Sequence, residues 1–190
     1  MKRIILASNS PRRRQLLSGL DYEFTIDTEI DFEEVALPGT PAAEVPMQMS
    51  LGKSHGFHRP LEDDEVLLTA DTVVILDGRA IGKPHSPREA FDMLRSLSGR
   101  THEVITAVTL RDSAHEESFA DSTLVTFGQM TDSEIHYYIE HYKPFDKAGA
   151  YGAQDWIGYG FITRIEGSYF NVMGLPVHRV REALERFLQH

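Results

Sequence analysis

The sequence of 190 residues contains no cysteine. This absence excludes disulfide scaffolds, cysteine-based zinc sites and thiol catalysis. No apolar run approaches the ~18 residues that a membrane-spanning helix needs, and the short apolar run near the start is followed at once by three arginines, which is not typical of a signal peptide. The net charge of −10 argues against a dedicated binder of nucleic acid or of anionic membranes. We therefore expect a cytoplasmic protein that binds neither nucleic acid nor membrane.

Several well-known catalytic and binding motifs are also missing. There is no Walker loop, no His-Glu-x-x-His pair and no Gly-x-Ser-x-Gly nucleophile elbow. The sequence therefore gives no support to P-loop nucleotide binding, to a zincin-type metal site or to serine hydrolase chemistry. No internal repeat and no Gly/Ser-rich linker divides the chain. With 41% hydrophobic residues, close to the globular average, residues 1–190 are expected to form a single domain.

Strand and helix signals alternate along the chain. Apolar runs at residues 3–7 and 66–76 predict buried strands, and Asp77-Gly78 after the second run predicts a hairpin turn. Residues 86–89 and 131–134 have the sequence of capping boxes, which open helices. Interleaved strands and helices predict an α/β fold, and the hairpin makes the sheet mixed instead of wholly parallel.

The first candidate site is Leu-Ala-Ser-Asn-Ser-Pro-Arg-Arg at residues 6–13, where a strand ends and a helix begins. A helix start attracts anions through its free N–H groups. Ser8 and Ser10 can add hydrogen bonds, and Arg12 and Arg13 can each grip a phosphate through two N–H groups. The pattern suits a triphosphate, although a capped helix with exposed arginines explains it equally well on local grounds.

Acidic and basic residues form three further candidates. The carboxylates at residues 29–34 favour a hard cation such as Mg²⁺ or Mn²⁺, or simply form a solvated loop. Asp71 interrupts an apolar strand, so it is expected to be paired, to hold a metal or to act as a general base, unless it ends the strand at a turn. Lys83, followed by proline, can neutralise phosphate charge, whereas Lys53 on a predicted helix is uninformative by itself.

The last candidate is Lys-Ala-Gly-Ala-Tyr-Gly-Ala-Gln at residues 147–154. Small residues let a ligand approach the backbone closely. Gln154 can present both a donor and an acceptor, as the edge of a uracil-type base requires. A flexible turn is the alternative interpretation.

Taken together, these segments resemble the Maf family of nucleoside triphosphate pyrophosphatases. The resemblance rests on six matches in family order: residues 6–13, Ala-Asp-Thr-Val-Val at 70–74, Gly-Lys-Pro at 82–84, Leu-Ser-Gly-Arg-Thr-His at 97–102, residues 147–154, and Gly-Ser-Tyr at 167–169 with Gly-Leu-Pro at 174–176. It implies an elongated mixed α/β fold with flanking helices and a central cleft, similar to inosine triphosphate pyrophosphatases. Members of the family are often dimeric, so a homodimer is a state of assembly that the resemblance allows.

The resemblance also implies an activity. The family cleaves a nucleoside triphosphate to the monophosphate and pyrophosphate, with a divalent cation (Mg²⁺ or Mn²⁺) activating the water that attacks the α-phosphate. The segment at residues 147–154 is similar to the branch that prefers dTTP and UTP. The alternatives are a 7-methyl-GTP pyrophosphatase or a nucleotide-binding septation regulator with little turnover.

Residue roles follow from the same resemblance. The implied catalytic residues are Asp71, Lys83 and Lys53. The implied substrate-binding residues are Ser8, Ser10, Arg12, Arg13, Thr72 and Gln154, the last reading the base. The implied metal ligands are Glu33 and Asp71, and the neighbouring Glu34 is an alternative to Glu33.

Overall fold

A computed structural model describes residues 2–189. The strands are β1 (Arg3–Leu6), β2 (Phe24–Ile26), β3 (Glu65–Leu76), β4 (Arg79–Ile81), β5 (Thr101–Arg111), β6 (Glu116–Phe127) and β7 (Ile162–Glu166). The helices are α1 (Pro11–Ser18), α2 (Val45–His55), α3 (Pro87–Leu97), α4 (Asp132–Tyr142), α5 (Trp156–Phe161), α6 (Tyr169–Met173) and α7 (Val177–Leu188). None of the helices in this range has both the length and the apolar character needed to cross a membrane.

The strands form one mixed sheet, as the sequence predicts. Its order is β2-β1-β3-β5-β6-β7, and β4 pairs with β3 off this path. β1 runs parallel to both β2 and β3, whereas all the other pairings are antiparallel. The predicted mixed α/β class is therefore confirmed.

Three of the helices, α1, α3 and α4, begin where the sequence places capping residues. The Ser10 hydroxyl accepts a hydrogen bond from the Arg13 backbone N–H at the start of α1, and Ser86 caps α3 in the same way. Thr131 and Glu134 form both hydrogen bonds of a capping box at the start of α4. These side chains satisfy backbone donors that a helix start leaves free.

Two hydrophobic cores lie side by side along one face of the three long strands. Up to Ala70, the β3 side chains on this face belong to a core that includes α1 and α7. From Val74 onwards they belong to a second core with α3 and α4. Thr72 lies between them, and its hydroxyl is 2.9 Å from that of Thr106, its partner on β5. The sheet is therefore polar midway between its two cores.

The edge of β3 is open at the same level. β1 pairs with β3 as far as Leu68, and β4 pairs with it only from Val74 onwards. Between these pairings, no strand within residues 2–189 covers the β3 edge on this side. Asp71 and Thr72 point to opposite faces of the sheet because strand side chains alternate. The open edge lets both side chains reach one cleft.

Candidate active site

The cleft lies at this open edge and continues on both sides of it. Two adjoining pockets share Arg12, Arg13, Lys53 and Lys83. The cationic side chains lining the whole cleft are Arg12, Arg13, Lys53, Lys83 and Lys147, and the carboxylates are Glu34, Asp71 and Asp146. Cations outnumber carboxylates here, although the chain as a whole carries a net charge of −10.

The cleft contains all but one of the residues implied by the resemblance. They are Ser8, Ser10, Arg12, Arg13, Lys53, Asp71, Thr72, Lys83 and Gln154. They come from distant parts of the chain and meet because β1 and β4 both end at the gap along the edge of β3. The exception is Glu33, which is exposed and outside the cleft.

Lys53 forms ion pairs with two carboxylates, those of Asp71 and Glu34. Its Nζ donates to Asp71 Oδ1 at 2.8 Å and lies 2.9 Å from Glu34 Oε2. The Lys53 side chain is only 11% exposed, so its charge is stabilised by these two partners. Burial alone would raise the pKa of Glu34, but Lys53, assisted by the charges of Lys83 and Arg13, holds that pKa below its usual range.

Of the two neighbours Glu33 and Glu34, which the resemblance gives as alternatives for a metal ligand, Glu34 is the one that lines the cleft. Both lie in an irregular segment between β2 and α2, where no helical or strand period fixes which side chain points inward. The ion pair with Lys53, which lies 19 residues further along the chain, holds the Glu34 side chain in the cleft. Nothing in the local sequence carries that information.

Arg13 is held by protein acceptors at the open edge of β3. Its Nε donates to Gly174 O at 2.8 Å, Nη1 to Ala70 O at 3.0 Å, and Nη2 to Thr72 Oγ1 at 3.0 Å. Burial lowers the pKa of Arg13, yet an arginine in a protein stays charged. Arg13 therefore supplies fixed positive charge and joins α1 to β3, instead of presenting a free fork to a phosphate.

The serines shape the loop that precedes α1. Ser8 is buried, and its hydroxyl accepts from the Ser10 backbone N–H at 3.2 Å. Ser10 accepts from the Arg13 N–H as the cap of α1. The start of α1 therefore lies in the cleft wall, where its dipole adds to the positive field.

Sequence reasoning missed Asp146, which bridges the two sides of the cleft. Its Oδ2 accepts from Arg12 Nη1 at 3.0 Å, and its Oδ1 accepts from Lys147 Nζ at 2.8 Å. Burial opposes the charged form, but Lys147 and Arg12 hold the pKa of Asp146 below its usual range. The available signal was its position directly before the glycine-containing segment at residues 147–154.

Gln154 lies at the opposite end of the cleft from Glu34. Its Oε1 is buried and has no hydrogen-bond partner among residues 2–189. The backbone around it is held firmly: Gly152 N–H donates to Tyr138 Oη at 3.1 Å, and Tyr138 Oη donates to Asp155 Oδ2 at 2.7 Å. A buried amide oxygen without a partner costs roughly 1–3 kcal/mol, which a ligand donor would recover.

The two carboxylates Asp71 and Glu34 fit a divalent cation whose remaining ligands are phosphate and water. No cluster of three or more histidine, aspartate or glutamate side chains suited to a metal occurs in the described part of the chain. Asp71 and Glu34 nevertheless converge on one point through Lys53. Mg²⁺ is commonly held by one or two carboxylates, with substrate phosphates and water completing its shell, and Mn²⁺ takes the same oxygen ligands.

Comparison with protein families decides the relationship. Residues 3–187 match the family model described as "Maf-like protein". The chain belongs to this family. The resemblance seen in the sequence is thereby confirmed. Five of its six segments contribute residues to the lining of the cleft of this Maf-like protein, and residues 97–102 do not.

Individual relatives cover nearly the whole chain. The dTTP/UTP pyrophosphatase of Porphyromonas gingivalis strain W83 is 47% identical over 187 residues, covering 97% of this chain and 94% of that protein. The dTTP/UTP pyrophosphatase of Phocaeicola vulgatus is 48% identical over 184 residues, covering 97% and 95%. A HAM1 protein from Coxiella burnetii is 15% identical and covers 68% of this chain and 75% of that one, with a TM-score of 0.43. That score is too low to support an argument, so the likeness to inosine triphosphate pyrophosphatases stays a prediction.

Proposed function

We propose that this Maf-like protein hydrolyses dTTP and UTP to the nucleoside monophosphate and pyrophosphate. The relatives named for that activity support it. The observation that carries the proposal is the position of Gln154: a partnerless amide oxygen lies at one end of a cleft lined by cations. A base at Gln154 would place its triphosphate among those cations.

The charge of the cleft suits a triphosphate. The four cations common to both halves lie between Gln154 and Glu34, and Lys147 adds a fifth at the Gln154 end. Charges farther away than the ~8 Å Debye length at physiological ionic strength are largely screened. The acidic surface therefore does not prevent an anionic substrate from binding.

Asp71 is the residue that we assign as general base. Lys53 contacts its Oδ1, which leaves Oδ2 for a water molecule. The water oxygen attacks the α-phosphorus, Asp71 accepts the proton, and the bond to the bridging oxygen breaks to release pyrophosphate. Lys53 and Lys83 stabilise the negative charge that grows on the phosphates. A Mg²⁺ or Mn²⁺ ion bound to Asp71 and Glu34 would add further charge neutralisation.

Gln154 matches the edge of uracil and thymine. These bases present an N–H donor next to carbonyl acceptors, and a glutamine amide offers one acceptor and a donor group. The buried Oε1 would accept from the ring N–H, and Nε2 would donate to a ring carbonyl. The oxygen, which has no hydrogen-bond partner among residues 2–189, would then be paired with the base.

A substrate panel tests the proposal. The protein is incubated with UTP, dTTP, CTP and 7-methyl-GTP, each with Mg²⁺ or Mn²⁺, and pyrophosphate and orthophosphate are measured separately. We expect pyrophosphate from UTP and dTTP. Release of orthophosphate, or no turnover of either nucleotide, would refute the proposal. Preferred turnover of 7-methyl-GTP would support the sister activity, and binding without turnover would support a regulatory role.

The state of assembly is a separate prediction. We expect a homodimer, which the family resemblance allows, and light scattering coupled to size-exclusion chromatography measures it. A mass near 21.5 kDa would refute this prediction.

A further inference from the structure

A buried polar pair lies directly behind the cleft wall. His102, on β5, is 2% exposed, and its Nε2 is 2.6 Å from Tyr151 Oη. Tyr151 lines the cleft and precedes Gln154 by three residues. His102 itself is not among the residues lining the cleft, so any effect on a substrate is indirect, and Tyr151 is its hydrogen-bond partner in the cleft wall.

The rings around this hydrogen bond leave Tyr151 little freedom. The His102 and Tyr151 rings meet edge to face with centroids 5.3 Å apart, and Phe127 packs edge to face on Tyr151 at 4.8 Å. Interiors are packed so closely that such a ring cannot shift without displacing its neighbours. The hydrogen bond to His102 also fixes the position of the Tyr151 hydroxyl, which ring packing alone does not do.

The backbone just before Tyr151 needs such support. Gly149 and Ala150 both adopt left-handed conformations, with φ of 68° and 59°. A left-handed alanine costs roughly 1–2 kcal/mol, and strain of this kind persists only where surrounding contacts enforce it. Gly149 is held by its N–H donating to Gly82 O at 3.0 Å. The Ala150 N–H donates to Lys147 O at 3.0 Å, and Tyr151, the next residue, is held by its hydrogen bond to His102.

The position of this segment matters because of how an amide reads a pyrimidine. Uracil and thymine carry a hydrogen on the ring nitrogen next to the exocyclic group, whereas the same nitrogen of cytosine is a bare acceptor. A glutamine free to rotate can match either pattern by exchanging its oxygen and nitrogen. An amide whose oxygen is fixed in a buried position accepts from uracil and meets an acceptor in cytosine, which leaves buried polar groups unpaired.

We propose that His102 is a positioning residue for base selection: by holding Tyr151, it fixes the segment that carries Gln154 and so favours uracil and thymine over cytosine. This inference rests on the proposed function. It concerns the base end of the cleft, because the hydrogen bond between His102 and Tyr151 includes none of the cations that line the cleft.

The test compares the ratio of kcat/KM for UTP to that for CTP in four variants. Tyr151→Phe removes only the hydroxyl, His102→Phe removes the hydrogen bond while filling the space, and His102→Gln retains a polar group. Asp112→Asn is the control: it weakens a buried ion pair with Lys2 at the far end of β5. Inorganic tripolyphosphate serves as an inhibitor that probes the phosphate end alone.

We expect Tyr151→Phe and His102→Phe to lower the UTP-to-CTP ratio by about tenfold, as the loss of one buried hydrogen bond predicts. His102→Gln should recover part of the ratio, Asp112→Asn should keep it, and inhibition by tripolyphosphate should not change in any variant. An unchanged ratio in Tyr151→Phe, or an equal fall in Asp112→Asn, would overturn the role of His102.

The outcomes separate this inference from the proposed function. A wild-type protein that turns over UTP but hydrolyses CTP equally well overturns the inference alone. A wild-type protein that turns over neither nucleotide overturns both. Thermal unfolding of each variant shows whether it folds, and Tyr151→Phe, the smallest change, decides the matter if the His102 variants do not.

Discussion

Acidification should destabilise this protein through His102, beginning at a higher pH than the loss of stability through Asp112. Burial lowers the pKa of His102 to about 4 from 6.5. The unfolded chain therefore binds a proton at this histidine at a higher pH than the folded chain does. Where the unfolded state binds more protons than the folded state, the free energy of unfolding decreases as the pH is lowered. For His102 this range extends from about pH 6.5 down towards pH 4. Tyr151, the titratable group in contact with His102, stays protonated because burial raises its pKa.

The size of this loss follows from the difference between the two pKa values. Each pKa unit corresponds to 1.36 kcal/mol. With a folded-state pKa of about 4, the loss is about 1 kcal/mol near pH 5.5 and about 3 kcal/mol near pH 4. Asp112, whose pKa the Lys2 hydrogen bond lowers against burial to about 2, contributes at lower pH. Its stabilisation is lost as the pH falls from 3.8 towards 2.

Urea denaturation at a series of pH values between 7 and 4.5 measures this effect directly. The matched variant is His102→Gln, which cannot titrate. We expect its free energy of unfolding to vary less with pH than that of the wild type, so that the two curves converge as the pH falls. Parallel curves over this range would show that His102 is not buried in its neutral form, and would refute the reasoning.

Three further predictions concern the cleft. Asp71→Asn should reduce kcat by roughly 10²–10⁴-fold. It should change the free energy of unfolding by no more than about 1 kcal/mol, because the buried Lys53 keeps Glu34 as a partner. Steady-state assays and urea denaturation measure the two effects, and full activity would remove Asp71 from the mechanism. Glu34→Gln should raise the Mg²⁺ concentration for half-maximal activity about tenfold, whereas Glu33→Gln should leave it unchanged; equal effects would contradict the assignment. Asp146→Asn should free Arg12 and lower KM for UTP about two- to fivefold at low salt. The difference in KM between the variant and the wild type should shrink as salt is added. A KM that rises in the variant would show that Asp146 orients Arg12 instead of competing with the phosphates.

The fold was largely predictable because its signals are local. The apolar run at residues 66–76 became β3, and the hairpin and all three caps appeared where short motifs placed them. The short helices α5 and α6 were not predicted. They have 6 and 5 residues, too few for a helical period to stand out.

Only those site residues that belong to a recognisable local motif could be predicted from the sequence. Asp71 is visible because a carboxylate interrupts an apolar strand, and Gln154 because it follows a run of small residues. The ion pair of Asp146 with Arg12 spans 134 residues, and His102 meets Tyr151 across 49. Contacts of this kind depend on how the strands pair, which no local pattern encodes.

The central claim is that Asp71 directs water to the α-phosphorus of a nucleotide whose base lies at Gln154. Hydrolysis of UTP in ¹⁸O-labelled water, followed by mass spectrometry of both products, tests it most directly. Attack of water on the α-phosphorus predicts one ¹⁸O atom in UMP and none in pyrophosphate. Label in pyrophosphate, or in orthophosphate released from the γ position, would contradict it.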